Sequence, residues 1–151
     1  MATRSTISIE ENGKIRSIYC HWDGYPTNNG AILLEHYNTS DKVNELINLG
    51  SLSFLAENIR PIDNGTITSY VSYTIGYETK SATEPHSFDN PHDNVVIAYH
   101  RDRGEELVID EYFNKKDIKG EEYDYLFVNG EWKVRFGKNF VRLTKEMCEL
   151  V

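Results

Sequence analysis

The chain has 151 residues, 39% of them hydrophobic and 26% charged, with a formal net charge of −8. This is the balance of one folded domain, not of a disordered tail or a fibrous repeat. The acid excess argues against a general nucleic-acid binder, which needs a basic surface to displace counterions, and no apolar run approaches the ~18 residues of a membrane helix.

The first element read along the chain is a hairpin. Residues 3–10 alternate, with Ser5, Ile7 and Ile9 on one face and Arg4, Thr6 and Ser8 on the other. Asn12-Gly13 follows, then a second strand-like run from Ile15 to Trp22. Asn-Gly between two such runs is a strong hairpin signal, because both turn positions need positive φ. A two-residue turn sets Ile7 opposite Ile18, Ser5 opposite Cys20 and Thr6 opposite Tyr19. It also brings Arg4 near His21, and it puts Trp22 on the core face with Ile18 and Cys20.

The stretch from Asp23 to Gly30 is a loop by composition. Ala31 to Asn38 reads as a helix with Asn28 or Asn29 as its N-cap. Ser40 is expected to cap a second helix, with Val43, Leu46 and Ile47 as its apolar stripe and Gly50 as its stop. Ser51 to Asn58 reads as a further helical turn or two. Thr66 to Tyr77 is a strand or hairpin rich in Tyr, Thr, Val and Ile, and Lys80 to Asp93 is a polar loop. Val95 to His100 reads as a buried strand and Glu106 to Phe113 as another. Tyr123 to Val128, Asn129-Gly130 and Trp132 to Phe136 repeat the hairpin chemistry. A short strand from Phe140 to Leu143 and a helix from Thr144 to Val151 complete the chain. The expected class is α+β: a single domain over 1–151, a mainly antiparallel sheet of hairpins, and two or three helices packed on one face.

Cys20 and Cys148 form no C-x-x-C pair, so they read as free thiols, and neither a metal nor another cofactor is expected. The polar, strand-like start is unlike a secretion leader. Asn38-Thr39-Ser40 and Asn64-Gly65-Thr66 are therefore read as chance matches to the glycosylation pattern, and the expected location is cytoplasmic.

Three segments carry the chemistry. In the first, from Tyr19 to Gly30, a strand runs into a glycine-containing loop and a helix start. Unpaired N–H groups at Asn29 and Gly30 could meet a phosphate there, with Trp22 and Tyr25 as stacking platforms. The plain alternative makes Trp22 a core plug. The second, Tyr99-His100-Arg101-Asp102-Arg103-Gly104-Glu105, leaves a buried strand. Arg101 and Arg103 are two apart, so an extended chain points both the same way, and guanidinium forks fit phosphates. The plain alternative pairs both with neighbouring carboxylates on a solvated surface. The third, His86 to Asp93, is rich in titratable groups, yet Asp and Asn in such loops cap their own turns more often than they hold metal. His21-x-Asp23 and His100-x-Asp102 would make an acid–base or metal cluster if their strands were neighbours.

Together, Arg4-Ser5-Thr6-Ile7, Tyr19-Cys20-His21-Trp22-Asp23-Gly24-Tyr25-Pro26, His86-Ser87-Phe88-Asp89-Asn90-Pro91, Tyr99-His100-Arg101-Asp102-Arg103-Gly104-Glu105 and Tyr123-Asp124-Tyr125-Leu126-Phe127 with Trp132 resemble a family of small proteins encoded by tailed bacteriophages. The resemblance covers most of the chain. It implies a phage origin and no particular activity, and against its pattern Thr66 to Pro85 looks inserted. Phage accessory proteins often blunt host defence, and several unrelated types sequester nucleotide-derived immune signals.

Three readings follow. The leading one is a binding protein for a small phosphorylated or nucleotide-like ligand, held without turnover by Arg4, His21, Trp22, Tyr25, Asn29, Gly30, Tyr99, Arg101 and Arg103. The second is an acidic inhibitor of a host protein. The third is a small hydrolase using His21 and His100. A second copy of the chain is a further partner considered; nucleic acid and membrane are not.

Overall fold

In a computed structural model of the chain, residues 2–61, 66–71, 76–81 and 85–149 are described. The first Asn-Gly pair turns as its chemistry requires. Asn12 and Gly13 hold φ of 53° and 74°, and β1 (Ser5–Glu11) folds back on β2 (Lys14–Cys20). Ile7 faces Ile18, Ser5 faces Cys20 and Thr6 faces Tyr19. Ile7, Ile9, Ile18 and Cys20 are all buried.

A π-helical turn, Pro26–Gly30, leads directly into α1 (Ala31–His36), and neither Asn28 nor Asn29 caps it with a side chain. The turn already supplies helical backbone before Ala31, so the cap position expected there does not exist. In α2 (Ser40–Ile47) the cap is Thr39, not Ser40. Thr39 keeps an extended backbone and its hydroxyl accepts the Lys42 N–H at 3.3 Å. Val43, Leu46 and Ile47 are buried as a stripe.

Residues 51–58 are not helical. β3 (Leu52–Phe54) pairs in parallel with the end of β2, Leu52 opposite Cys20. A free sheet edge satisfies the backbone of this short segment, and that tertiary offer overrides a weak local helical preference. β4 (Thr66–Val71) and β5 (Gly76–Ser81) pair antiparallel as a two-stranded sheet of their own. Residues 72–75 of the expected hairpin, 82–84 of the polar loop, Asn64-Gly65 of the second glycosylation pattern and the last two residues lie outside the described residues.

The run from Val95 to His100 is not one strand. β6 (Ile97–Ala98) gives way to α3 (Tyr99–Arg103). The Asp102 carboxylate reaches back to accept the Ala98 N–H at 2.8 Å, and Gly104, at φ 72°, closes the helix in left-handed backbone. β7 (Asp110–Tyr112) occupies only part of the strand expected from Glu106 to Phe113. β8 (Tyr123–Val128) and β9 (Glu131–Arg135) turn at Asn129-Gly130, with φ of 52° and 77°. β10 (Val141–Arg142) and α4 (Lys145–Glu149) follow.

The large sheet has the order β10-β9-β8-β1-β2-β3-β6, with β7 also on β2. Its hairpins are antiparallel, but β1 and β8 run parallel, Thr6 beside Asp124, and so do β2 and β3. The class is α+β: among the described residues, a mixed sheet of eight strands with four short helices. Leu33, Tyr37, Val43, Leu46 and Ile47 join Ile7, Ile18, Tyr125, Phe127 and Trp132 in one apolar core on one face of the sheet. The Trp132 indole N–H donates to the Tyr37 carbonyl at 2.7 Å. On the opposite face a smaller cluster, Ile15, Leu126 and Ile118, adjoins buried polar pairs: Thr6 to Asp124 and Ser8 to Ser17, both 2.8 Å.

Candidate functional site on the open face of the sheet

At the end of β2 the chain leaves the sheet at Asp23, a non-glycine residue with φ of 56°. Trp22 does not enter the core with Ile18 and Cys20, as the extended register predicted. It stays half-buried and stacks on Phe54, with ring centroids 5.9 Å apart and planes at 13°. The indole that fills the core is Trp132, 2% exposed. His21 meets Trp22 edge-on at 4.8 Å, and its Nδ1 lies 2.6 Å from the Tyr19 hydroxyl. A chain of rings thus runs from Tyr19 through His21 and Trp22 to Phe54.

Tyr25 stands exposed and donates to the Asp23 carboxylate at 3.3 Å. Asn29 and Gly30 are turned inward. The Asn29 amide donates to Ser5 Oγ at 3.2 Å and Cys20 Sγ at 3.5 Å. A Cβ on Gly30 would sit 3.3 Å from Pro26 and 3.5 Å from Leu143 and from Cys148 Sγ. These two residues serve the interior. Burial pushes the Cys20 thiol up to about 11, so it is an unreactive core group.

Arg101 and Arg103 lie on α3, so they do not share the side that an extended chain would give them. The Arg101 guanidinium donates to the Ile59 carbonyl at 2.5 Å, the Val96 carbonyl at 2.7 Å and the Asp102 carboxylate at 2.9 Å. It ties three segments together. Asp102 is nearly enclosed, its side chain 3% exposed, and also lies 3.3 Å from His86 Nε2. His86 Nε2 is 3.0 Å from the Val96 carbonyl, and its Nδ1 accepts the His92 N–H at 2.9 Å. Since Nδ1 accepts, the ring proton sits on Nε2. Desolvation holds the His86 pKa below the ordinary imidazole value, against the pull of Asp102.

Arg103 behaves differently. Its guanidinium lies over the Phe88 ring at 4.1 Å and the Tyr99 ring at 5.0 Å, and it pairs with Glu105. Phe88 and Tyr99 stack at 5.7 Å. Tyr99 in turn acts electrostatically on Tyr19, whose hydroxyl pKa is raised, mainly by burial, while Arg4 opposes the shift. Two groups result: Tyr19 and His21 at the end of β2, linked by His21 to Trp22, and Phe88, Tyr99 and Arg103 beside α3, with β3 between the two strand ends. Arg101, Tyr25, Asn29 and Gly30 stand apart from both. Phe88 is the member that sequence reasoning missed. The signal available was Asp102 followed by Gly104, which marks a helical turn and so redirects Arg103.

The two His-x-Asp pairs do not form a common site. β3 lies between β2 and β6, so the strand ends are not neighbours. Each group has its own partner: His21 with Tyr19, Asp23 with Tyr25, His100 Nδ1 with the Glu105 carbonyl at 2.7 Å, and Asp102 with His86. Among the described residues no group of three or more His, Cys, Asp or Glu side chains could hold a metal ion, and no helix is long and apolar enough to cross a membrane.

No protein-family model, curated protein or solved structure matches the chain. The fold and the site define an α+β protein with its main apolar core on one face of a mixed sheet, a smaller buried cluster on the other, and polar-aromatic groups where β2 and β6 end.

Proposed function

We propose that this chain is a binding protein that sequesters a small phosphorylated or nucleotide-derived ligand at the polar-aromatic surface beside α3 without turning it over. The role is that of a phage accessory factor blunting a signal in the host cytoplasm. The observation that carries it is Arg103, half-exposed at 48% of its side chain and lying against the stacked Phe88 and Tyr99 rings. Rings beside a guanidinium restrict its rotamers, so less freedom is lost when an anion docks; the anion adds to or displaces the Glu105 carboxylate now on Arg103 Nε. Arg4 adds a second cation, and Tyr19, Tyr99 and His21 offer π-faces for a base.

The test is calorimetric titration with mono-, di- and cyclic nucleotides. Arg103→Ala is expected to weaken binding by about 2–5 kcal/mol, and Arg103→Lys to restore it only partly, because a point charge lacks the planar fork. Unaltered binding by Arg103→Ala would sink the proposal. An acidic inhibitor of a host protein is the second reading, favoured by the exposure of Phe113 at 80% and Phe136 at 58%. It predicts a co-purifying protein that Arg103→Ala retains and Phe113→Ser loses.

A further inference from the structure

A groove of about 600 Å³ lies between α1 and the edge formed by β3 and β6. Its volume is that of a small-molecule site. Ile32 of α1 forms one side, and Ala56, Val95 and Ile97 form the other. Phe54 stands at its mouth, 38% exposed and backed by the stacked Trp22. The body of any ligand seated here meets mostly hydrocarbon.

The charged lining has one sign. Glu57 and Asp93 bring carboxylates, and among the described residues neither a lysine nor an arginine lines the groove. The rest of the polar lining is neutral amide and imidazole, from Asn28, Asn94, His36 and His92, with His36 Nε2 3.5 Å from Glu57 Oε2 and 3.8 Å from Glu35 Oε2. The Glu57 side chain is 43% exposed, so it can receive a further donor. Two carboxylates at an apolar wall repel a phosphate and attract a cation, and the net charge of −8 raises the local cation concentration further. The same geometry that suits an ammonium group excludes the ligand class proposed for the surface beside α3.

We infer that this groove is a second, separate binding site for a small primary amine with an apolar or aromatic body. The ammonium group sits against Glu57, with Asp93 as the second carboxylate. The body lies on Ile32, Ala56 and Ile97, and an aromatic ring meets Phe54. Arg103 does not line this site.

The probe is phenethylamine, with phenylacetate as its anionic counterpart, titrated into ¹⁵N-labelled protein at neutral pH. Amide shifts are expected at Leu55, Ala56 and Ile97 with the amine and not with the acid. Glu57→Gln should weaken amine binding about ten-fold, the worth of one hydrogen bond to a charged group. Asp93→Asn should act in the same direction, and Phe54→Ala should weaken the aryl amine more than butylamine. The inference is overturned if phenylacetate binds as well as phenethylamine, if the shifts lie outside the groove, or if both carboxylate variants, folded by their spectra, bind like the unaltered chain.

Discussion

Asp102→Ala tests what holds α3 and the 86–92 segment to the sheet. The Asp102 carboxylate accepts from the Ala98 N–H at 2.8 Å and from Arg101 Nε at 2.9 Å and Nη2 at 3.1 Å, with His86 Nε2 at 3.3 Å. Its side chain is 3% exposed and that of Arg101 is 28% exposed. Truncation leaves the Ala98 donor unsatisfied and the guanidinium without its counter-charge. Removing one partner of a fully buried pair costs about 3–5 kcal/mol, and the partial exposure of Arg101 lets water recover some of that. The expected loss is therefore about 3 kcal/mol. Asp102→Asn keeps one acceptor oxygen and should lose roughly half as much. Urea unfolding reads the effect as a lower midpoint at unchanged slope. Arg101→Ala and the double variant complete a cycle, in which the two losses should fall well short of adding. A shift within about 0.5 kcal/mol for Asp102→Ala, the range of an ordinary surface change, would refute the account of this cluster as structural.

Acid should weaken the same cluster. His86 has its pKa lowered in the fold by burial, so the folded state prefers the neutral ring. Its stabilisation is complete above the unfolded value of about 6.5 and is lost as pH falls through the lower folded value. Protonation would also set a new Nδ1–H against the His92 N–H. Urea midpoints measured from pH 8 to pH 5 should fall, and His86→Gln should flatten that fall; an identical slope in the variant would contradict the argument. Trp132→Ala should cost about 3–5 kcal/mol, since it empties core volume and removes the bond to Tyr37. Trp22→Ala should cost clearly less, and equal melting shifts for the two would show that Trp22 is a core residue after all. Gly13→Val should cost about 1–2 kcal/mol through backbone strain at φ 74°, since a Cβ there meets nothing within 4 Å. An unchanged melting temperature would argue against the turn.

By itself the sequence determined the elements whose physics is local. Two Asn-Gly pairs dictated two tight turns and, through the two-residue loop, the partners Ile7–Ile18 and Thr6–Tyr19. A 3.6-residue period dictated the buried stripe of α2. Both follow from backbone sterics and side-chain periodicity within a dozen residues. What only the tertiary structure decided are the joins between those units. Nothing near β1 in the chain announces that β8 lies parallel beside it, or that 52–54 completes the edge of β2 as a strand. The candidate site follows the same division. The residue types of the site were legible, but their grouping was not. Trp22 stacks on Phe54 of β3 instead of entering the core. One carboxylate reaching from Asp102 to the Ala98 N–H winds the Arg101–Arg103 segment into a helix. That separates an arginine bound to backbone carbonyls from one lying against the Phe88 and Tyr99 rings. Such outcomes depend on contacts between residues distant in sequence, whose free energy no local pattern records.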